Sequence, residues 1–329
     1  MTAMDWGLIG HGWAVELLRR QLVRGTTHHA YLITGPEGVG RVRLALAFAQ
    51  AILCEAPPQP GDWCGACRAC RQVPARHYPD LHWVERQEDK QGITIEQVRE
   101  LQRQLSLSSL LGSGRVAVLE GVERASEGAA NALLKTLEEP VRRVTLLLTA
   151  SDVEDVRPTV VSRCELLALR AVPSADIAAA LEARGASAST ARETARLANG
   201  RPELALQILE DPNLRGRRLG YAKQLKETLE LGLHARFALA DEWKEDDTLE
   251  ERLTEWLNLL GDDLHGAATS SSGGRGTDGS PLRDPALIRR ALDAIQRTLE
   301  ALHRNANARL AVEAMMLDLP SATGAVSAG

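Results

Sequence analysis

Aromatic side chains are scarce in this chain: six Trp, three Tyr and two Phe amount to 3% of 329 residues. That leaves little material for the base-stacking platforms on which single-strand binders rely. An excess of positive charge is missing as well, since 39 Lys and Arg face 44 Asp and Glu for a net charge of −5. Such a balance argues against a protein that coats nucleic acid by itself, because that binding is driven by neutralising phosphates. A local basic patch is still compatible with it. No apolar run approaches the roughly 20 residues needed to span a bilayer, and the opening residues lack the pattern of a secretory signal. The expectation is a soluble, cytoplasmic protein with no membrane partner. What the chain does have is bulk, and 44% hydrophobic residues suffice for two or three domain cores.

The most informative stretch is Leu32-Ile33-Thr34-Gly35-Pro36-Glu37-Gly38-Val39-Gly40-Arg41-Val42. An apolar strand, a Gly-x-x-x-x-Gly turn and a helix beginning at a basic residue outline a phosphate-binding loop. Gly35, Gly38 and Gly40 permit the tight turn, and the free N–H groups of the helix start attract phosphate. Two chemical elements are nevertheless wrong. Arg41 stands where a Lys would reach the terminal phosphates, and Val42 where a Ser or Thr hydroxyl would hold magnesium. A second apolar run over 116–119 ends in Glu120-Gly121, where ATPases of this architecture carry an acidic pair for magnesium and for the attacking water. Gly121 removes the general base. Losses at two independent places predict a nucleotide-site scaffold without hydrolysis, on which ATP is unbound or not turned over.

Four of the five cysteines lie close together, at Cys54, Cys64, Cys67 and Cys70. In a chain with no sign of secretion, metal is the better explanation than disulfides. Four thiolates supply a closed tetrahedral zinc site, with Gly65 giving the knuckle its freedom to turn. An iron–sulfur cluster uses related spacing, but nothing else in the sequence points to electron transfer. Structural zinc is the expectation, and a closed ligand set leaves no position for catalysis.

Hydrophobic patterning predicts alternating strands and helices over residues 30–170 and hence an α/β domain with a largely parallel sheet. An amphipathic helix is expected over 12–24 and strands over 29–33, 80–84, 116–120, 144–149 and 165–169. Another helix should start near Ile95, with Thr94 as N-cap and Gln97 in the capping-box position; Ser126 should cap a helix over 127–139. Three short helices follow, over 176–183, 190–198 and 202–210, and beyond them the chain reads as all-α. The helix over 285–302 carries Ile288, Leu292, Ile295, Leu299 and Leu302 as a stripe expected in a bundle core. A Ser/Gly-rich loop is expected over 269–283 and a small-residue tail over 321–329.

His29-Ala30-Tyr31-Leu32, the glycine loop, the four-cysteine insert, Asn131-Ala-Leu-Leu-Lys-Thr-Leu-Glu-Glu-Pro140 and Ser162-Arg163-Cys164 together resemble the clamp-loader subunits of bacterial DNA polymerase III. The resemblance is strong over 10–170 and weaker beyond, where Asn305-Ala-Asn-Ala-Arg-Leu310 carries it. It implies an α/β AAA+ domain (RecA-like parallel sheet, 1–170) with the zinc module at 54–70, a helical lid domain (171–212) and an all-α collar domain (213–329). Within that family the gamma/tau subunit is the ATPase motor and keeps Lys-Thr in the loop and Asp-Glu on the strand. The delta-prime branch is similar to this chain, with loop and strand modified and Ser-Arg-Cys intact. The resemblance therefore implies a non-hydrolysing stator that helps load the sliding clamp onto primed DNA, with gamma/tau and delta subunits as partners.

By the same resemblance, Arg163, flanked by Ser162 and Cys164, is the candidate arginine finger that acts on a neighbouring subunit's ATP. Glu138 and Glu139 are either interface residues or a solvated helix end. Arg201 lies near the arginine that active lids present to nucleotide, but the family spacing puts that position at Glu203, so the role does not transfer. Arg99 and Arg103, a helical turn apart, are better explained as a solvated face than as contacts to DNA phosphates. Two other functions compete: an active gamma/tau-like ATPase in which Arg41 replaces Lys, and a DNA repair or regulatory protein that uses the AAA+ fold only for binding. The first needs a guanidinium where an ammonium fits, and the second needs DNA affinity that the charge and aromatic content disfavour.

Overall fold

The structure is a computed structural model that describes residues 6–321 apart from 88, 89, 91, 107–113, 244, 245, 247, 270–281, 283 and 305. Most of the Ser/Gly-rich loop and nearly all of the tail therefore lie outside the described residues. The chain divides into two compact units, Met1–Leu206 and Gln207–Gly329.

In the first unit the elements run α1 (Gly12–Arg24), β1 (Ala30–Thr34), α2 (Arg41–Leu53), α3 (Arg68–Gln72), β2 (Leu81–Val84), α4 (Ile95–Ser106), β3 (Arg115–Leu119), α5 (Glu127–Glu138), β4 (Val144–Ala150), α6 (Pro158–Val161), β5 (Glu165–Ala168), α7 (Ser174–Glu182), α8 (Ala188–Ala198) and α9 (Pro202–Glu210), the last running across the boundary. The five strands form one sheet in the order β2-β3-β4-β1-β5, and all pair in parallel. The expected alternation is explained by this arrangement, because parallel neighbours need a crossover between them. β1 and β3 are buried along their whole length, as continuous apolar runs must be when helices cover both faces. One face of the sheet buries Tyr31, Ile33, Val116, Val118 and Leu147 against α1 and α2. The other buries Leu32, Ala117, Leu146 and Leu148 with the apolar sides of α4 and α5.

Local chemistry sets the helix starts. Gln97 Oε1 accepts from the Thr94 N–H at 2.9 Å and Thr94 Oγ1 accepts from the Gln97 N–H at 3.3 Å, the reciprocal pair of a capping box. Ser126 Oγ accepts from the Ala129 N–H at the head of α5. The short helices α3 and α6 were not foreseen; neither is long enough to print a periodicity.

The second unit is helical: α10 (Pro212–Glu230), α11 (Leu233–Glu242), α12 (Leu249–Thr269), α13 (Pro285–His303) and α14 (Ala308–Asp318). Its core gathers Leu225, Leu229, Leu253, Trp256, Ile288, Ile295, Val312 and Met316. Ile288, Ile295 and Leu299 of the predicted stripe are buried, and Leu292 and Leu302 pack partly buried beside them, so that face belongs to the core. Arg236 is 4% exposed in the same interior.

Candidate nucleotide loop, cysteine cluster and exposed arginine

The glycine loop joins β1 to α2 at the carboxyl end of the sheet, the side on which open α/β sheets bind ligands. Gly35, Gly38 and Gly40 have φ of 143°, 78° and 115°. A side chain at Gly35 would meet the Leu169 carbonyl oxygen at 2.5 Å, so that glycine is required by a close approach. The loop is then closed over from two sides. His11 places Nε2 3.0 Å from the Val39 carbonyl, and the Glu203 N–H donates to the Gly38 carbonyl at 3.0 Å. The crevice bounded by Leu8, Ile9, Gly40, Arg43, Pro202 and Glu203 holds about 10 Å³. That is roughly the room for one water, whereas ligand clefts run to roughly 300 Å³ or more.

Arg41 opens α2 and points into acidic surroundings. Burial works against its charge, while Glu123, Glu37, Glu120 and Glu203, in that order, support it. Burial also pushes Glu203 and Glu120 above the usual carboxylate range; Arg43 and Arg41 counter this at Glu203, and Arg76 does so foremost at Glu120. Glu123 Oε1 is fixed by the Ser151 hydroxyl at 2.8 Å. Gly121 donates its N–H to both the carbonyl and the hydroxyl of Thr149, which ties the ends of β3 and β4 together without any side chain at 121. Arg201 donates from Nε to the Ala198 carbonyl at 3.3 Å. The acidic residue beside it, Glu203, is the one that faces Arg41 and Arg43.

The four cysteines come together as their spacing suggests, with all Sγ atoms within 4.8 Å of one another. Cys64 Sγ lies 3.8 Å from Cys70 Sγ, and Cys70 Sγ 3.7 Å from Cys54 Sγ. A tetrahedron with metal–sulfur bonds of about 2.3 Å requires about 3.8 Å between sulfurs, so the donor set fits a tetrahedral metal. Backbone N–H groups of Ala66 and Cys67 aim at Cys64 Sγ at 3.4 and 3.2 Å, and that of Cys70 at Cys67 Sγ at 3.4 Å. The two on Cys64 favour its thiolate and draw its pKa down to about 6, while burial pushes Cys70 up to about 12. The fifth cysteine, Cys164, packs beside the second core, and burial raises it to about 12. It is an inert thiol.

Arg163 follows α6 and remains one-third exposed. It donates to the Thr159 carbonyl at 2.8 Å and to Ser162 Oγ at 3.3 Å, and it pairs with Glu138 Oε1 at 2.7 Å. Glu138 thus has a partner within the chain, while Glu139 closes α5 as its C-cap, exposed. Arg99 and Arg103 line an open hollow of about 510 Å³ on α4 with Glu96, Gln102 and Ser106, and Arg103 pairs with Glu100.

The family described as "DNA polymerase III, delta subunit" matches residues 10–173, the span that holds the loop, the cysteines and Arg163. The chain is 36% identical over 236 residues to DNA polymerase III subunit delta' of Pseudomonas aeruginosa, which covers 70% of each chain. It belongs to the DNA polymerase III delta-prime family. Its similarity to DNA polymerase III subunit delta' of Escherichia coli is 32% over 194 residues, 59% of this chain and 58% of that one. Subunit tau of Escherichia coli matches at 31% over 179 residues, 53% of this chain and 27% of tau.

In this delta-prime family member the predicted site residues fall into three separate groups: the loop with Glu120 and Glu203, the four cysteines, and the Ser162-Arg163-Cys164 corner. Sequence reasoning missed the influence of Glu123 and Glu37 on the Arg41 charge, and Arg76 as an ion-pair partner of Glu120. Only tertiary packing brings these together, and no spacing along the chain announces it. Among the described residues, no helix is long and apolar enough to cross a membrane.

Proposed function

We propose that this chain is a non-hydrolysing stator of a clamp loader, which supplies Arg163 in trans to the ATP of a neighbouring gamma/tau-type subunit. The observation that carries the proposal is the replacement of the loop Lys and hydroxyl by Arg41 and Val42, together with Gly121 after β3. Arg41 is half-buried, and its charge is favoured by Glu123, Glu37, Glu120 and Glu203. A phosphate loop works by offering uncompensated N–H groups and a free cation to an anion. Here the lid-side position carries Glu203, and the hydroxyl and the general base are replaced by Val42 and Gly121. The AAA+, lid and collar division at 1–170, 171–212 and 213–329 is part of the same proposal, with delta, gamma/tau, the sliding clamp and primed DNA as partners.

The isolated full chain is expected to show no saturable ATP binding by titration calorimetry up to millimolar nucleotide, and no turnover in a phosphate-release assay. Turnover abolished by Arg41→Ala would instead establish the active-ATPase alternative. Tight DNA binding by the chain alone would favour a repair or regulatory role.

For Cys54, Cys64, Cys67 and Cys70 the proposal is structural zinc. The sulfur separations suit it, and four thiolates close the coordination shell. Elemental analysis of the purified chain is expected to find roughly one zinc per chain, falling to background in the Cys64→Ser/Cys67→Ser variant. Stoichiometric iron would show an iron–sulfur cluster instead.

A further inference from the structure

The cysteine module and the failed nucleotide site are joined by one side chain. Glu120 ends β3 at the place where related folds hold the magnesium ion of a nucleotide. Among the described residues its buried Oε2 atom has no hydrogen-bond partner, and the cation facing it is Arg76, with Nη2 at 3.6 Å. Arg76 Nη1 also donates to Glu85 Oε2 at 2.6 Å, an oxygen that accepts from Trp83 Nε1 at 3.1 Å. The guanidinium carbon lies over the Trp83 ring, 3.8 Å from its centroid, a cation–π contact. One arginine thus bridges the carboxyl ends of β2 and β3.

Arg76 pays for this position in backbone conformation, with φ of 60°, a region that a residue bearing a Cβ occupies only when its surroundings impose it. The surroundings here are the C-terminal turn of α3, the helix that carries Cys70. Cys70 sits in α3, and its carbonyl is held by Gln50 Nε2 at 3.1 Å. Ala69 and Val73 are fully buried in the first core. From there the Val73 N–H donates to Ala69, the Arg76 N–H to Val73 and the His77 N–H to Gln72. Three backbone hydrogen bonds therefore carry the chain from the last cysteine to Arg76.

The geometry points to a task for the four-cysteine module: it fixes Arg76 as a built-in counter-cation for Glu120 and Glu85, in the place a divalent metal would take. This inference rests on the zinc proposal above. It assigns Arg76 as a positioning residue of the strand ends, and it gives the module a role inside the subunit.

The test uses the full zinc-loaded chain labelled with 5-fluorotryptophan, its Trp83 resonance assigned through Trp83→Phe. Stripping zinc under reducing conditions is expected to shift or broaden Trp83 while Trp256, in the second unit, stays in place. The Arg76→Gln variant should show the shifted Trp83 signal while still holding zinc, and stripping should then move it little further. A second measurement needs no stripping. Zinc-loaded Arg76→Gln is expected to take up Mn²⁺, read by electron paramagnetic resonance, at least tenfold more tightly than the parent chain, and adding Glu120→Gln should abolish the gain. Zinc present with Trp83 unmoved by stripping, or equal Mn²⁺ uptake by parent and variant, overturns the inference while leaving the zinc assignment intact. No stoichiometric zinc in the starting sample overturns both.

Discussion

Replacing Arg163 with alanine in a reconstituted clamp loader is expected to reduce clamp loading by roughly ten- to a hundredfold, measured by clamp retention on primed circular DNA. Fingers that stabilise charge on a transferring phosphoryl group are worth roughly 10³-fold or more at the site they serve. The overall effect is smaller because other ATP sites keep turning over, so total ATPase should fall less than loading does. The structure makes Arg163 available for such a role. Its guanidinium is one-third exposed, braced by Thr159 and Ser162, and paired with Glu138 at the surface. An exposed pair of this kind contributes about 0–1 kcal/mol, little enough for a neighbour's phosphate to displace Glu138. Glu138→Gln should accordingly leave loading within about twofold, since it removes only that weak surface pair. If Arg163→Ala loads clamps like the parent subunit, the pair with Glu138 is the whole role of this arginine and the finger is abandoned.

The second large effect is expected at Arg236. Its guanidinium donates to five backbone carbonyls: Thr228 at 3.0 Å, Leu229 at 3.1 Å, Met316 at 3.3 Å, Leu319 at 2.6 Å and Pro320 at 2.9 Å. No carboxylate is among these partners. The charge is met instead by the C-terminal ends of α10 and α14, each with a partial charge of roughly −0.5. Burial still lowers the Arg236 pKa, though an arginine stays protonated in proteins. Arg236→Met fills similar volume but strands several buried carbonyls, at about 1–3 kcal/mol for each that water cannot reach. A loss of roughly 3–5 kcal/mol is expected for the second unit, read from the Trp256 signal in urea so that the first unit does not confuse the transition. Arg236→Lys should recover only part, because an ammonium has three donors against five. A loss below about 1 kcal/mol for the Met variant, the size of one ordinary hydrogen bond, would show that the carbonyls find other partners.

Where the sequence could be read and where it could not follows from the kind of force involved. β1, β3 and β4 were legible because strands buried on both faces must be unbroken apolar runs, and the starts of α4 and α5 because Thr94, Gln97 and Ser126 cap within three residues. The cysteines declared themselves through spacing, since the knuckle Cys64-x-x-Cys67 is a local structure. Arg236 was illegible for the opposite reason: hydrophobic periodicity places a polar residue on the surface, while its carbonyl partners lie 80 to 84 residues away at Met316 to Pro320 or in the preceding helix. The four glutamates whose charge bears on Arg41 come from three separate stretches of the chain, at 37, at 120 and 123, and at 203. The absence of Lys, Thr and the second acid could be read from the sequence, but nothing in it told which groups pack around Arg41.

Each single change toward the residues of an active nucleotide site meets a neighbour that opposes it. Arginine at 203 would set a third guanidinium beside Arg41 and Arg43, and glutamate at 121 would crowd Glu120 and Glu123 at a backbone φ of 75° that suits glycine. Like charges brought together in a partly buried site destabilise each single intermediate. On the proposed reading, building a working nucleotide site into this sequence therefore takes several changes at once rather than one.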